Sequence, residues 1–200
     1  MTPTNICSLI RALAVTAICV ALPVTVYSQP NSEKVDQKPC STETLPHPFQ
    51  KKLITEFSSW KIQDVADLSP SAKARWFSAE YADCPGLAAG EFRENKRQSY
   101  AVLLVPREKP DSAYRLAIYT PAGPDFKAEF QILDKGDDAG ASNFFLHAAR
   151  TDKLFDAPSR RKFHIETTDS FLFFDCGEQE YEVDAYFYAD GAYRSSFVDM

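Results

Sequence analysis

The chain has 200 residues, with 22 basic side chains against 28 acidic ones and a formal net charge of −6 at pH 7. That balance argues against nucleic acid or an anionic membrane surface as partner, since both ask for clustered Lys and Arg. A hydrophobic content of 44%, with aromatics at 13% of the chain, excludes an intrinsically disordered protein and supplies material for one ordinary core.

The first element is a targeting signal. Arg11 precedes a continuous apolar run from Ala12 to Val26, followed by Tyr27, Ser28 and Gln29. A positive charge, an apolar core and small residues near its end predict a secretory signal peptide over 1–28, with cleavage after Ser28. The run is interrupted by Pro23 and is shorter than the roughly 20 apolar residues of a transmembrane helix, so no stable membrane span is expected after cleavage. Ile18 rather than a small residue precedes Cys19, which speaks against a lipoprotein site. The expected location is therefore secreted or periplasmic. Residues 29–46 are polar and proline-punctuated, the composition of a flexible leader, and 47–200 are expected to form a single domain.

Within that domain, Phe49, Leu53, Ile54 and Phe57 recur at helical spacing and predict a short amphipathic helix. Trp60, Ile62 and Val65 alternate with polar residues, as in an extended segment. A second helix is marked by Ser69 at the cap and Pro70 at the first helical position. It is expected to run to about Tyr81, with Trp76 and Phe77 toward the core, and to end at Pro85-Gly86.

Strands follow. Ser99–Val105 is apolar at every position from Ala101 to Val105, as in a strand covered on both faces. Tyr114–Thr120 is its expected antiparallel neighbour. Phe126, Ala128, Phe130 and Ile132 alternate with polar residues like a half-buried strand. Further strands are expected at Phe144–Ala149, Phe163–Ile165 and Ser170–Phe174. A final hairpin joins Ala185–Tyr188 to Ala192–Phe197 through Asp190-Gly191, a pair suited to the positive φ angles of a tight turn. Together these elements predict an α+β fold, with two N-terminal helices packed on a mainly antiparallel, meander-like β-sheet.

Cys40, Cys84 and Cys176 remain after signal cleavage, and an oxidising compartment favours pairing two of them. Cys84 and Cys176 both sit in tight polar turns and are the expected disulfide. Cys40, in the leader, would then be free or paired between chains. The three lack close ligand spacing, so no metal site is expected from them.

Gly90-Glu-Phe92, the polar turn 93–98 and Tyr100-Ala-Val-Leu-Leu104 resemble one strand-turn-strand unit of the FG-GAP type. That family carries Asp- and Gly-rich calcium turns and repeats as propeller blades. Here the turn reads Arg-Glu-Asn-Lys-Arg-Gln and no second copy follows, so neither calcium nor a propeller is implied. More broadly, Trp60, Asp67-Leu68, Trp76, Cys84-Pro-Gly86, Gly90-x-Phe92, Tyr100–Leu104 and the terminal aromatic hairpin resemble small uncharacterised secreted bacterial proteins. The resemblance implies a shared fold and brings no functional residue.

Candidate chemistry is sparse. Of the three histidines, His47 stands at the leader boundary between Pro46 and Pro48, and a hydrolase would use His147 or His164 as base for a Ser nucleophile. No Gly-x-Ser-x-Gly elbow accompanies them, and both fall on expected strands. Asp134, Asp137 and Asp138 share a Gly-containing loop, but their spacing matches no calcium loop. The most suggestive pattern is Glu178, Glu180, Glu182 and Asp184, followed by Tyr186 and Tyr188. Period two places all of them on one strand face.

These residues make the leading functional expectation a secreted, non-catalytic binding module. Its acidic, tyrosine-bearing strand face would recognise a cationic protein or a cell-wall component, without a cofactor. A secreted hydrolase using His147 or His164 and a structural envelope protein tethered through Cys40 are the alternatives.

Overall fold

Two strands dictate the architecture because each is apolar on both faces. Strand β3 (Ser99–Pro106) sends Ala101, Leu103 and Val105 to one side and Val102 and Leu104 to the other. Strand β7 (Asp169–Cys176) sends Phe171 and Phe173 to one side and Leu172, Phe174 and Cys176 to the other. A strand of this kind must be covered twice, so each anchors a sheet with a layer on either face.

In the computed structural model, which describes residues 40–79, 84–93, 96–123, 127–138, 140–177 and 181–198, the result is two antiparallel sheets. The expected signal peptide and the leader up to residue 39 lie outside the described residues. The described residues belong to the compact unit Gln37–Met200.

The first, five-stranded sheet contains β1 (Trp60–Ile62), β2 (Leu87–Gly90), β3, β4 (Tyr114–Thr120) and β5 (Glu129–Gly136). Strands β1 and β2 each pair with part of β3, and the order continues β3-β4-β5. The second sheet is a four-stranded meander of β6 (Phe144–Arg150), β7, β8 (Tyr181–Ala189) and β9 (Ala192–Phe197). Between the sheets, Leu103, Leu116 and Ile118 pack with Leu146, Phe171 and Phe173.

The outer faces carry short helices. Helix α1 (His47–Glu56) lays Phe49 and Leu53 over Val102, Leu104, Ala117 and Tyr119, with Phe49 stacked on Tyr119 at 4.5 Å. Helix α2 (Pro70–Ser78) lays Ala72 and Trp76 over Phe145, Phe174 and Val183. Ser69 caps it, accepting from the Ala72 N–H at 3.2 Å. Two further turns of helix, α3 (Thr151–Leu154) and α4 (Ala157–Lys162), complete this layer with Leu154, Phe155 and Phe163.

The fold is therefore mainly β, and the expected α+β arrangement of two N-terminal helices on one sheet is corrected. There are two sheets rather than one, and helices lie at 47–78 and again at 151–162. The cause is the number of two-sided apolar strands. One sheet would leave the second face of β7 uncovered.

Three local expectations change with it. Phe77 is 50% exposed, because Ala72 and Trp76 four residues apart already form the buried stripe of α2 and Phe77 lies a further 100° round. The segment Phe163–Ile165 is no strand: α4 ends there, His164 takes a φ of 52°, and Ile165 makes only an isolated bridge to Ala189. Strand β5 begins at Glu129, and of the expected alternating set Phe126 lies outside the described residues. By contrast the Asp190-Gly191 hairpin forms with φ angles of 51° and 79°, the left-handed pair that such a turn requires.

The disulfide expectation is also corrected. Cys40 bonds Cys84, closing a sequence separation of 44, while Cys176 is a free, buried thiol. Cys84 packs on the α1 side of the first sheet and Cys176 under α2 on the far side of the second, so the two sheets stand between them. The fold consequently reaches back to Cys40. Residues Thr42–Thr44 form a 3-10 turn capped by Ser41, and Leu45 is buried beside Phe49.

Next to that bond, Pro85-Gly86 joins the layers instead of merely ending a helix. The Pro85 carbonyl accepts from the Leu146 N–H at 2.7 Å and the Gly86 carbonyl from the Leu103 N–H at 2.8 Å. A Cβ on Gly86 would meet the Gln63 carbonyl oxygen at 2.5 Å, a contact only glycine avoids.

Candidate functional site

Glu182, Asp184, Tyr186 and Tyr188 do share a strand face. Val183, Ala185, Phe187 and Ala189 point the other way, into the core under α2 and α4. The face that the four occupy is not an open surface, however, because it looks toward the first sheet. Tyr186 stacks on Phe171 with ring centroids 5.0 Å apart and an interplanar angle of 6°. Tyr188 is buried; the Arg93 guanidinium lies 4.6 Å over its ring and donates to its hydroxyl at 2.9 Å. Glu178 and Glu180 lie outside the described residues.

The face gains partners that sequence reasoning missed. Asp175 stands directly opposite Glu182 across β7 and β8. Directly opposed residues in an antiparallel pair have Cβ atoms roughly 5 Å apart. Asp134 enters from the first sheet. A bulge at Leu116/Ala117 skips Leu133 in the register, so that Asp134 pairs with Leu116 and turns toward the space between the sheets. Its carboxylate accepts from the Tyr114 hydroxyl at 2.8 Å and from the Lys135 N–H at 2.8 Å.

Below these groups lies an aromatic floor. Tyr114 meets Phe144 edge-on at 5.1 Å, Phe144 meets Phe173 at 4.9 Å, and Phe173 meets Tyr186 at 6.4 Å. The candidate site is thus one end of the inter-sheet core, with Asp134, Asp175, Glu182 and Asp184 around its rim. None of the four makes an ion pair among the described residues.

The electrostatics follow from that arrangement. Partial burial, reinforced by Glu182, holds the Asp175 carboxyl above the usual carboxylate range. Burial, then Glu182 and Asp134, does the same to Asp184. The Tyr186 hydroxyl is pushed up to about 12, first by burial and then by Asp134 and Asp184. Burial and the bond to Asp134 likewise raise Tyr114. Asp175 and Asp184 resist ionising beside the other carboxyls of the rim, an arrangement that favours a positive guest.

The other candidates are dispersed. His147 lies on β6, opposite Leu172. His164 sits at the end of α4, its Nδ1 2.8 Å from Asp190, which also accepts from Arg194 at 3.2 Å. Among the described residues, His164 meets no serine hydroxyl. In the Asp134–Asp138 loop, Asp137 pairs with Arg115 and Lys135, while Asp134 belongs to the rim. No group of three or more His, Cys, Asp or Glu able to hold a metal ion occurs among the described residues.

The Gly90-x-Phe92 pattern has a packing role. Strands β2 and β3 pair around the turn, Gly90 opposite Ser99, and a Cβ at Gly90 would strike the ring of the fully buried Phe92 at 2.6 Å. Cys40, bonded to Cys84, is not available as a tether between chains. A disulfide of this kind persists in an oxidising compartment, and no helix among the described residues is long and apolar enough to cross a membrane. No protein-family model, curated protein or solved structure matches the chain.

Proposed function

We propose that the protein is a secreted or periplasmic, non-catalytic binding module that recognises a cationic protein or a cationic group of the cell wall through the acidic rim. The observation that carries this reading is the convergence of Asp134, Asp175, Glu182 and Asp184 from two sheets, none of them ion-paired among the described residues. Like charges directly opposed across strands are destabilising by tenths of a kcal/mol to about 1 kcal/mol each. An ammonium or guanidinium entering the rim relieves that repulsion. The N-terminal targeting pattern and the Cys40–Cys84 bond support an extracytoplasmic address.

A hydrolase is less well supported. Its histidines sit on separate elements, and His164 is paired with Asp190 on an exposed hairpin. The test is calorimetric titration with a basic protein such as lysozyme at 50 and 300 mM salt. Binding should be strong at the lower salt and weakened at the higher. Glu182→Lys together with Asp184→Lys should abolish it. Unchanged binding in the double variant would refute the acidic rim as the recognition surface.

A further inference from the structure

On the opposite side of the first sheet lies a cleft of about 330 Å³ between α1 and β1. Volumes near this value suit small ligands. Leu53 and Ile54 of α1 and Phe57 at its C-terminal cap form one wall, Trp60 of β1 the other, and Leu104 the floor, with Ser41 and Thr42 also lining the cleft. Ile54 is 70% exposed at the mouth, an apolar side chain that nothing among the described residues covers.

Charge identifies the guest. The chain carries a net −6, yet no acidic side chain lines this cleft among the described residues, and both charged side chains that do are cationic. Of these, Lys61 is committed to Asp67 at 2.7 Å and Asp64 at 3.8 Å. Arg107 is held differently. Its Nε donates to the Ser58 carbonyl at 3.1 Å, which fixes the guanidinium at the rim, and its two terminal nitrogens make no hydrogen bond or ion pair among the described residues. A guanidinium held by Nε leaves one pair of donors in the geometry that grips a carboxylate.

We propose that this cleft binds a small amphipathic carboxylate, with its apolar chain between α1 and Trp60 and its head group on Arg107. It is a second site, independent of the acidic rim, and its two cationic side chains fit a medium-chain fatty acid better than a cation.

Decanoate below its micelle concentration is the probe, with Trp60 emission as the signal and Trp60→Phe to assign it, since Trp76 is buried under the other layer. Decanoate should bind saturably and about tenfold more tightly than decanol, the span expected of one charge-assisted hydrogen-bonded contact at a partly wet rim. Arg107→Gln should remove that preference and leave decanol affinity as it was. Ile54→Glu, at an exposed position that leaves folding intact, should weaken both and decanoate more. No saturable shift with decanoate, equal binding of decanoate and decanol to the unsubstituted protein, or decanoate affinity indifferent to Arg107→Gln would each overturn the proposal.

Discussion

Helix α1 on the first sheet and helix α2 on the second do the same work by different means. Helix α1 covers Val102, Leu104 and Tyr119 with two buried side chains, Phe49 and Leu53, and the chain just before it is tied to the sheet by Cys40–Cys84. Helix α2 has no covalent tie. It is held by Trp76, which meets Phe145 edge-on at 5.3 Å, and by Ala72, with Cys176 left below as a thiol. Burial and pairing therefore trade against each other. The layer with the buried tryptophan has no bond, and the layer with an open cleft beside it has one. Burial pushes the Cys176 thiol up to about 11, so this cysteine stays protonated and unreactive at neutral pH.

Trp76→Ala removes the side chain that holds α2. Removing a fully buried tryptophan costs about 3–5 kcal/mol through lost burial and the cavity left behind. If packing alone holds α2, its amides should lose hydrogen-exchange protection in this variant while those of α1 keep theirs. Equal loss in both helices would show a single cooperative unit instead.

Cys40→Ser is the mirror experiment. Closing a separation of 44 residues stabilises by roughly 4 kcal/mol in the chain-entropy model, and typical measured values run from about 2 to 4. Denaturant midpoints should fall accordingly, and reductant should lower the native protein to the same level without affecting the variant. Protection should be lost first around Leu45 and α1. An unchanged midpoint would mean that Leu45, Phe49 and Leu53 suffice without the bond.

Local pattern made the elements legible more readily than their assembly. Ser69-Pro70 marked the start of α2, the unbroken apolar stretch of β3 announced a strand covered twice, and Asp190-Gly191 set the last hairpin. Whether β6 continued the sheet ending at β5 or began another depends on contacts such as Leu103 with Phe171, which no window of sequence contains. The cysteine turns had the same weakness, since tight turns at Cys84 and Cys176 say nothing of the two sheets between them.

The acidic face was half legible for a related reason. Period two placed Glu182, Asp184, Tyr186 and Tyr188 together, but only the facing sheet decides that the tyrosines are covered and that Asp134 joins the carboxylates. One signal was available: Asp175, also on an alternating pattern after Phe171 and Phe173, marks the place where an apolar strand face turns acidic.

The smallest expected effect tests that assembled rim. Asp184 and Asp175 bind their protons more tightly in the folded protein than in the unfolded chain, because burial and Glu182 disfavour their charges. Such groups contribute stability that is fully present below the unfolded carboxylate value and is lost as pH rises through the folded one. At neutral pH they are therefore a net liability, and Asp184→Asn should stabilise the protein by a few tenths of a kcal/mol, up to about 1. The gain should shrink as pH falls toward 4 and the native Asp184 takes up its proton. Comparing variant with native cancels the opposite trend from Asp156, whose carboxyl is held low by its bonds to Ser159, and from Asp152 beside Arg150. A gain that persists unchanged at pH 4 would trace to packing of the amide and not to charge. A loss at neutral pH would mean that Asp184 already has a cationic partner, and the rim would no longer be waiting for one.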